Sequence, residues 1–239
     1  MDYKSTRTIL KSNMNILMKS DINCMIVLSK QGIGKTTFVF EQMKERGLIE
    51  DKHYLYYNSY FTPLSFYKAL EETTKLEGNQ ILILDDVEAI LKNTNIINML
   101  KSSTWENNYH QRVVNYNTTS SKVENQFLNF NGKIIILINE IPKKSPVFKA
   151  VIDRSLFVKL EFNNQQILDY MKEVIKKEYK EISYHKRKIV FDFIKQNTTD
   201  KTDLSLRTLI KGYNAFMYSP HNFKDLILMS LKENNNLIN

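Results

Sequence analysis

The stretch Ser29-Lys30-Gln31-Gly32-Ile33-Gly34-Lys35-Thr36-Thr37, directly after the apolar run Cys24-Met25-Ile26-Val27-Leu28, limits the folds open to this chain more than any other segment. A short buried strand, a glycine-bearing loop and then Gly-Lys-Thr opening a helix is a P-loop arrangement. Glycines let backbone N–H groups converge on phosphate oxygens, and the positive end of the following helix points at them. In such a loop Lys35 reaches the β- and γ-phosphates of a nucleotide, and the Thr36 hydroxyl ligates Mg²⁺. The pattern G-x-x-x-x-G-K-[ST] asks for glycine where this chain has Ser29, a small residue ahead of an intact Gly34-Lys35-Thr36. The expected nucleotide contacts are therefore Ser29, Gly32, Ile33, Gly34, Lys35, Thr36 and Thr37.

A P-loop needs a sheet behind it, and the apolar pattern supplies one. His53–Tyr57, Ile81–Leu84, Lys133–Ile138 and Ser155–Phe162 read as four more strands. The unbroken aliphatic runs among them suit strands covered on both faces. Helical segments fall between them, at about 35–46, 62–75 and 87–101. Strands alternating with helices predict an α/β domain of three layers with a parallel sheet. After Phe162 the period changes, and residues 164–180, 185–196, 205–217 and 222–233 all read as helices, with Asn163, Asp203 and Asn222 as caps. The expected division is a core over 1–162 and an all-helical lid over 163–239.

Composition narrows the function classes. With 42% hydrophobic residues in 239, the chain builds real cores and is not a disordered tail. Its net charge of +8 raises the prior for a polyanionic partner, but the excess is split evenly between 1–162 and the rest, with no concentrated stripe. Cys24, the single cysteine, lies in the strand before the loop and can form no intrachain disulfide. This predicts a reducing, cytoplasmic setting. No run approaches the roughly 18 apolar residues of a membrane span, and Met1-Asp2-Tyr3-Lys4 does not open a signal peptide.

Phosphate chemistry also requires acidic groups at a neighbouring strand end. Asp85-Asp86, after Ile81–Leu84, meets that need: Asp85 as the Mg²⁺-side carboxylate, Asp86 to polarise a water, Glu88 as a weaker contender for the same task. Asn139 ends the next apolar strand, where side chains of parallel sheets meet ligands; it orients the water there or is an ordinary turn residue. Arg154 and Arg207 are candidates for stabilising charge on the transferring phosphate, although arginine is as often mere surface.

In this order the parts resemble those of the AAA+ ATPases, over nearly the whole chain. Ser29–Thr36 is similar to Walker A and Leu84-Asp85-Asp86 to Walker B. Asn139 matches sensor 1, Arg154 the arginine finger and Arg207 the sensor 2 arginine of the lid. The resemblance implies a strand order of 5-1-4-3-2, ATP with Mg²⁺ between core and lid, and a ring or partial ring in which Arg154 serves the neighbouring subunit's ATP. Asp86, where many members carry glutamate, is closer to the replication-initiator and helicase-loader branch and to superfamily 3 helicases.

Residues 102–131 form a long insert rich in Asn, Ser and Thr. Arg112–Tyr116 and Phe127–Lys133 read as arms of a β-hairpin with a polar tip near 118–122, similar to inserts that AAA+ helicases direct into a pore. Arg112, Tyr116 and Lys122 are the expected nucleic-acid contacts. The functional expectation is an ATPase acting on nucleic acid in DNA replication, of a phage or mobile element, with a replication protein as a further partner. The alternatives are an ATP-dependent switch acting on a protein, and a degenerate P-loop that binds nucleotide weakly.

Overall fold

The computed structural model describes residues 3–118, 123, 125–141 and 146–236. By backbone contacts the chain divides into two compact units. Of the described residues, one unit holds those within 8–30 and 35–160; the other holds 3–7, Gln31–Gly34 and 161–236. The loop segment Gln31–Gly34 thus groups with the C-terminal helices, a division that the spacing of apolar residues could not reveal.

The first unit is built on β1 (Cys24–Ser29), β2 (Tyr54–Tyr57), β3 (Ile81–Asp85), β6 (Lys133–Ile138) and β7 (Leu156–Leu160). They form one sheet in the order β2-β3-β6-β1-β7, all neighbours parallel. Numbered along the core, this is the 5-1-4-3-2 order. Every residue of β1 and β3 is buried, which explains the continuous aliphatic runs.

One face of the sheet carries Cys24, Ile26, Leu82, Leu84, Ile134 and Ile136. Against it lie apolar residues of α3 (Pro63–Thr74), α4 (Thr94–Thr104) and α5 (Pro146–Ile152). On the other face α2 (Lys35–Glu45) lays Phe40 on Tyr56, ring centroids 4.9 Å apart, and on Tyr54. The N-terminal helix α1 (Tyr3–Lys19) buries Met14 and Leu17 completely. At the sheet's lower edge Lys133 Nζ donates to Ser20 O at 2.7 Å, Ile22 O at 3.1 Å and Asn23 Oδ1 at 2.9 Å, fixing the entry to β1.

Residues 87–101, read as a single helix, are broken. A short 3₁₀ turn over Ile90–Lys92 ends at Asn93, whose side chain accepts from Asn95 N and Ile96 N and so caps α4. The insert forms a hairpin: β4 (Val113–Asn115) pairs antiparallel with β5 (Phe127–Asn129). Its inward residues Val114 and Leu128 pack on the core, while Asn115 and Phe127 face out.

The second unit contains α6 (Asn164–Val174), α7 (Tyr184–Asn197), α8 (Leu206–Tyr218) and α9 (Phe223–Asn236) around one apolar cluster. Asn163 does cap α6, in a capping box with Gln166. Asp203 does not cap α8: Ser205 occupies its N-cap position. Arg187, buried, donates to the carbonyls of Ile175 and Ile182 and ties the end of α6 to the start of α7. Among the described residues no helix is long and apolar enough to cross a membrane.

Candidate nucleotide site

Three neighbouring strands, β1, β6 and β3, deliver their carboxyl ends side by side. In open parallel sheets this edge is where ligands bind. Lys35, the first residue of α2, is buried, and its ammonium donates to Ser29 O at 3.1 Å and to Asn139 Oδ1 at 2.6 Å. Next to it the Thr36 hydroxyl donates to Asp85 Oδ2 at 2.7 Å. Asp85 is 3% exposed, so the meeting of these two oxygen donors is fixed by packing.

Asn139 links the parts. Its Oδ1 accepts from Lys35, and its Nδ2 donates to Asp86 Oδ1 at 2.7 Å and to Glu88 Oε1 at 3.1 Å. Its main-chain N–H donates to the same Glu88 oxygen at 2.6 Å. The amide orientation follows, because a cation needs the oxygen and two carboxylates need the nitrogen. Asp86 has φ +51, in the left-handed region, and its own N–H donates to Leu137 O at 3.1 Å. Such a backbone costs about 1–2 kcal/mol for an L-residue. Here it turns an exposed carboxylate back over the end of β6.

Ser29 proves compatible with the loop. It lacks the positive φ that would demand glycine, is buried, and offers its carbonyl to Lys35. The glycines are needed at Gly32 (φ +71) and Gly34 (φ +91). At Gly32 a Cβ would also lie 2.9 Å from Ser205 Cβ. Within the second unit the loop segment is gripped: Leu206 N donates to Gly32 O at 2.9 Å, and Ile33 is buried in that unit's apolar cluster. The Ile33 side chain is thus a core residue, and only its main chain is left for phosphate. Thr37 is exposed on the first turn of α2.

No family model matches the sequence, and no curated protein matches it. Solved structures do. Domain III of the replication initiation protein DnaA from Thermotoga maritima aligns with a TM-score of 0.52 at 16% identity, covering 95% of this chain and 92% of that one. The Thermotoga maritima RuvB Holliday junction branch migration motor aligns with a TM-score of 0.54 at 12% identity, covering 97% of this chain and 69% of that one. The shared feature is the fold, a parallel five-stranded α/β core followed by helices. At such identities the likeness is one of fold, and roles must be argued from this chain's own residues.

In this core two hydrogen-bonded groups form side by side: Lys35, Asn139, Asp86 and Glu88 in one, Thr36 and Asp85 in the other. Arg207, at the start of α8, donates to Gln31 Oε1 at 3.4 Å inside the helical unit. Arg154 lies in the turn between α5 and β7, its guanidinium 5.5 Å from the ring centroid of Trp105, which is 58% exposed.

The insert requires corrections. Arg112 is not a surface cation: it is 7% exposed, and its guanidinium donates to Ser103 O at 3.0 Å and Gly132 O at 2.7 Å over the Phe130 ring. Burial draws its pKa down. It anchors the hairpin base and cannot meet a phosphate. Tyr116 is half-buried and stacked on Tyr67, centroids 5.3 Å apart, so one of its faces is taken. Lys122 lies outside the described residues.

One site residue escaped sequence reasoning. Tyr56 on β2 donates its hydroxyl to Asp85 Oδ2 at 3.0 Å, the same oxygen that Thr36 holds. Burial, and then the bond to Asp85, push its phenol up to about 12. A tyrosine in a tyrosine-rich strand gives no local signal; only the adjacency of β2 and β3 marks it.

Proposed function

We propose that this protein is an Mg²⁺-dependent ATPase that works on nucleic acid in DNA replication, as a helicase, initiator or helicase loader. The observation that carries the reading is the hydrogen-bonded group Lys35–Asn139–Asp86 beside Thr36–Asp85, at the carboxyl ends of adjacent strands. Phosphate oxygens would replace the carbonyl and amide acceptors now on Lys35. Thr36 and Asp85 fit Mg²⁺, a hard cation that takes one or two carboxylates plus a hydroxyl and substrate phosphates. Bound there, the ion would neutralise charge on the β- and γ-phosphates.

Asp86 is the group we assign to polarising the attacking water, held in place by Asn139; Glu88 is positioned to share that load. Arg207 would neutralise charge on the nucleotide bound by its own subunit. Arg154, supported by Trp105, would serve the ATP of an adjacent copy in a homo-oligomeric ring or partial ring. The DnaA and RuvB likeness supports work on DNA as the first reading.

ATP turnover measured with and without DNA, over a range of protein concentrations, tests the proposal. Concentration dependence supports a shared site, and stimulation by DNA supports the substrate. An unchanged rate in Lys35→Ala overturns the enzyme reading. Because Arg112 and one face of Tyr116 are committed to packing, a second reading stays in play: an ATP-dependent switch acting on a protein partner. Absence of DNA binding at low salt, with ATP turnover intact, would favour it.

A further inference from the structure

Between α4 and the hairpin lies a cavity of about 300 Å³ that the ATP chemistry does not use. Asn95, Asn98 and Ser102 line it from α4, spaced three and four apart and so on one helix face. Asn115 and Asn117 line it from the end of β4. Met99 and Tyr116 add the apolar surface. The volume is at the lower end of ligand pockets, which run from about 300 to about 1,000 Å³.

The chemistry of this lining is selective. It holds no charged side chain, so a phosphate or other ion would lose water there without gaining a counter-charge. A purely apolar ligand would strip water from four carboxamides and a hydroxyl and return no hydrogen bonds. What such a lining satisfies is a neutral, flat group with donors and acceptors on its edge, because each carboxamide presents both. A nucleobase has that form, and a carboxamide pairs two-fold with the amino and ring-nitrogen edge of adenine.

Parts of the frame that carries these side chains are braced. Tyr116 is braced by Tyr67, whose hydroxyl donates to Asn125 O at 2.7 Å. The α4 wall is capped by Asn93 at one end and tied by Arg112 through Ser103 O at the other. Bracing of the Tyr116 ring and of the α4 backbone lowers the entropic cost of holding a ligand against them. A base in a duplex stack cannot enter a side-chain pocket, whereas an unpaired one can.

We propose that this cavity receives one unpaired nucleobase, with adenine preferred, so that the insert reads bases of a single strand. The inference rests on the nucleic-acid reading above and goes further, naming single strands as the substrate and the base as the group gripped. It also gives the Asn-rich insert a task that its buried Arg112 cannot perform.

Fluorescence anisotropy with a labelled oligo-dA strand, and with the same strand carrying abasic residues, tests it on the full chain. Wild type should bind the abasic strand about tenfold more weakly. Asn98→Ala combined with Asn115→Ala should bind both strands alike, while DNA-free ATP turnover stays at the wild-type level. Hypoxanthine in place of adenine, which lacks the amino group, should weaken binding to wild type and leave the double variant unchanged, whereas equal binding of both strands by wild type would overturn the adenine preference. Equal binding of intact and abasic strands by wild type would overturn the base pocket and leave the nucleic-acid reading standing. Failure of every strand to bind at low salt, with ATP turnover intact, would overturn both.

Discussion

Replacing Arg112 by Met distinguishes a structural anchor from a nucleic-acid contact, and its expected size follows from the hydrogen bonds. Met keeps the length and apolar stem but removes the donor shared by Ser103 O and Gly132 O. Both acceptors are main-chain carbonyls, so the mutation cannot remove them along with the cation. Each buried carbonyl left without a donor costs about 1–3 kcal/mol. Relief from burying a charge offsets part of the sum. The expected loss is on the order of 2–4 kcal/mol. With a urea slope of about 2–3 kcal/mol per molar, the unfolding midpoint should fall by about 1 M. The assay is urea denaturation followed by circular dichroism, beside DNA binding measured where the variant is still folded. A midpoint unchanged within about 0.2 M, together with weakened DNA binding, would refute the anchoring role and restore Arg112 as a contact.

Three further outcomes are expected. Tyr56→Phe keeps the ring against Phe40 but frees one lone pair of Asp85; at limiting Mg²⁺, ATP turnover should fall about 2–10-fold with no change in thermal midpoint. An unaltered Mg²⁺ titration would remove Tyr56 from the site. Gly32→Ala should weaken ATP binding by about tenfold or more in calorimetry, since left-handed backbone and the contact with Ser205 both oppose it. Gly47→Ala, at φ +68 with open space around its Cβ, is the control that carries the backbone strain alone. Tyr213→Phe should stabilise the helical unit by about 1–3 kcal/mol, because the Tyr213 hydroxyl is buried with no hydrogen-bond partner among the described residues. Burial raises the Tyr213 phenol from 10.0 to about 12, so its contribution persists below about pH 10 and is lost as pH climbs towards 12. The Phe variant should lack that alkaline loss in denaturation midpoints taken across the range.

The order of the strand ends along the chain was legible because a parallel sheet imposes it. Strands covered on both faces must be aliphatic, so Ile81–Leu84 and Ile134–Ile138 stand out, and a polar residue ending such a run has one edge to occupy. Gly32, Gly34, Lys35 and Thr36 carry their meaning locally, in a strand–loop–helix. By itself the sequence therefore determined the α/β core, its strand ends, Asp85, Asp86 and Asn139 as the group around the loop, and the helical C-terminal part.

Only the tertiary structure decided which partners those groups take. Thr36 and Asp85 are 49 positions apart, Lys35 and Asn139 are 104, and Tyr56 and Asp85 are 29. Tyr56 became a site residue and Arg112 a buried anchor because distant segments met. The loop segment Gln31–Gly34 joined the helical unit through Ile33 and Gly32 for the same reason. Local period reports which face of a strand or helix is apolar. Which face lies opposite, and what a polar side chain finds there, is set by long-range packing, and the Asn-lined cavity is a product of that packing alone.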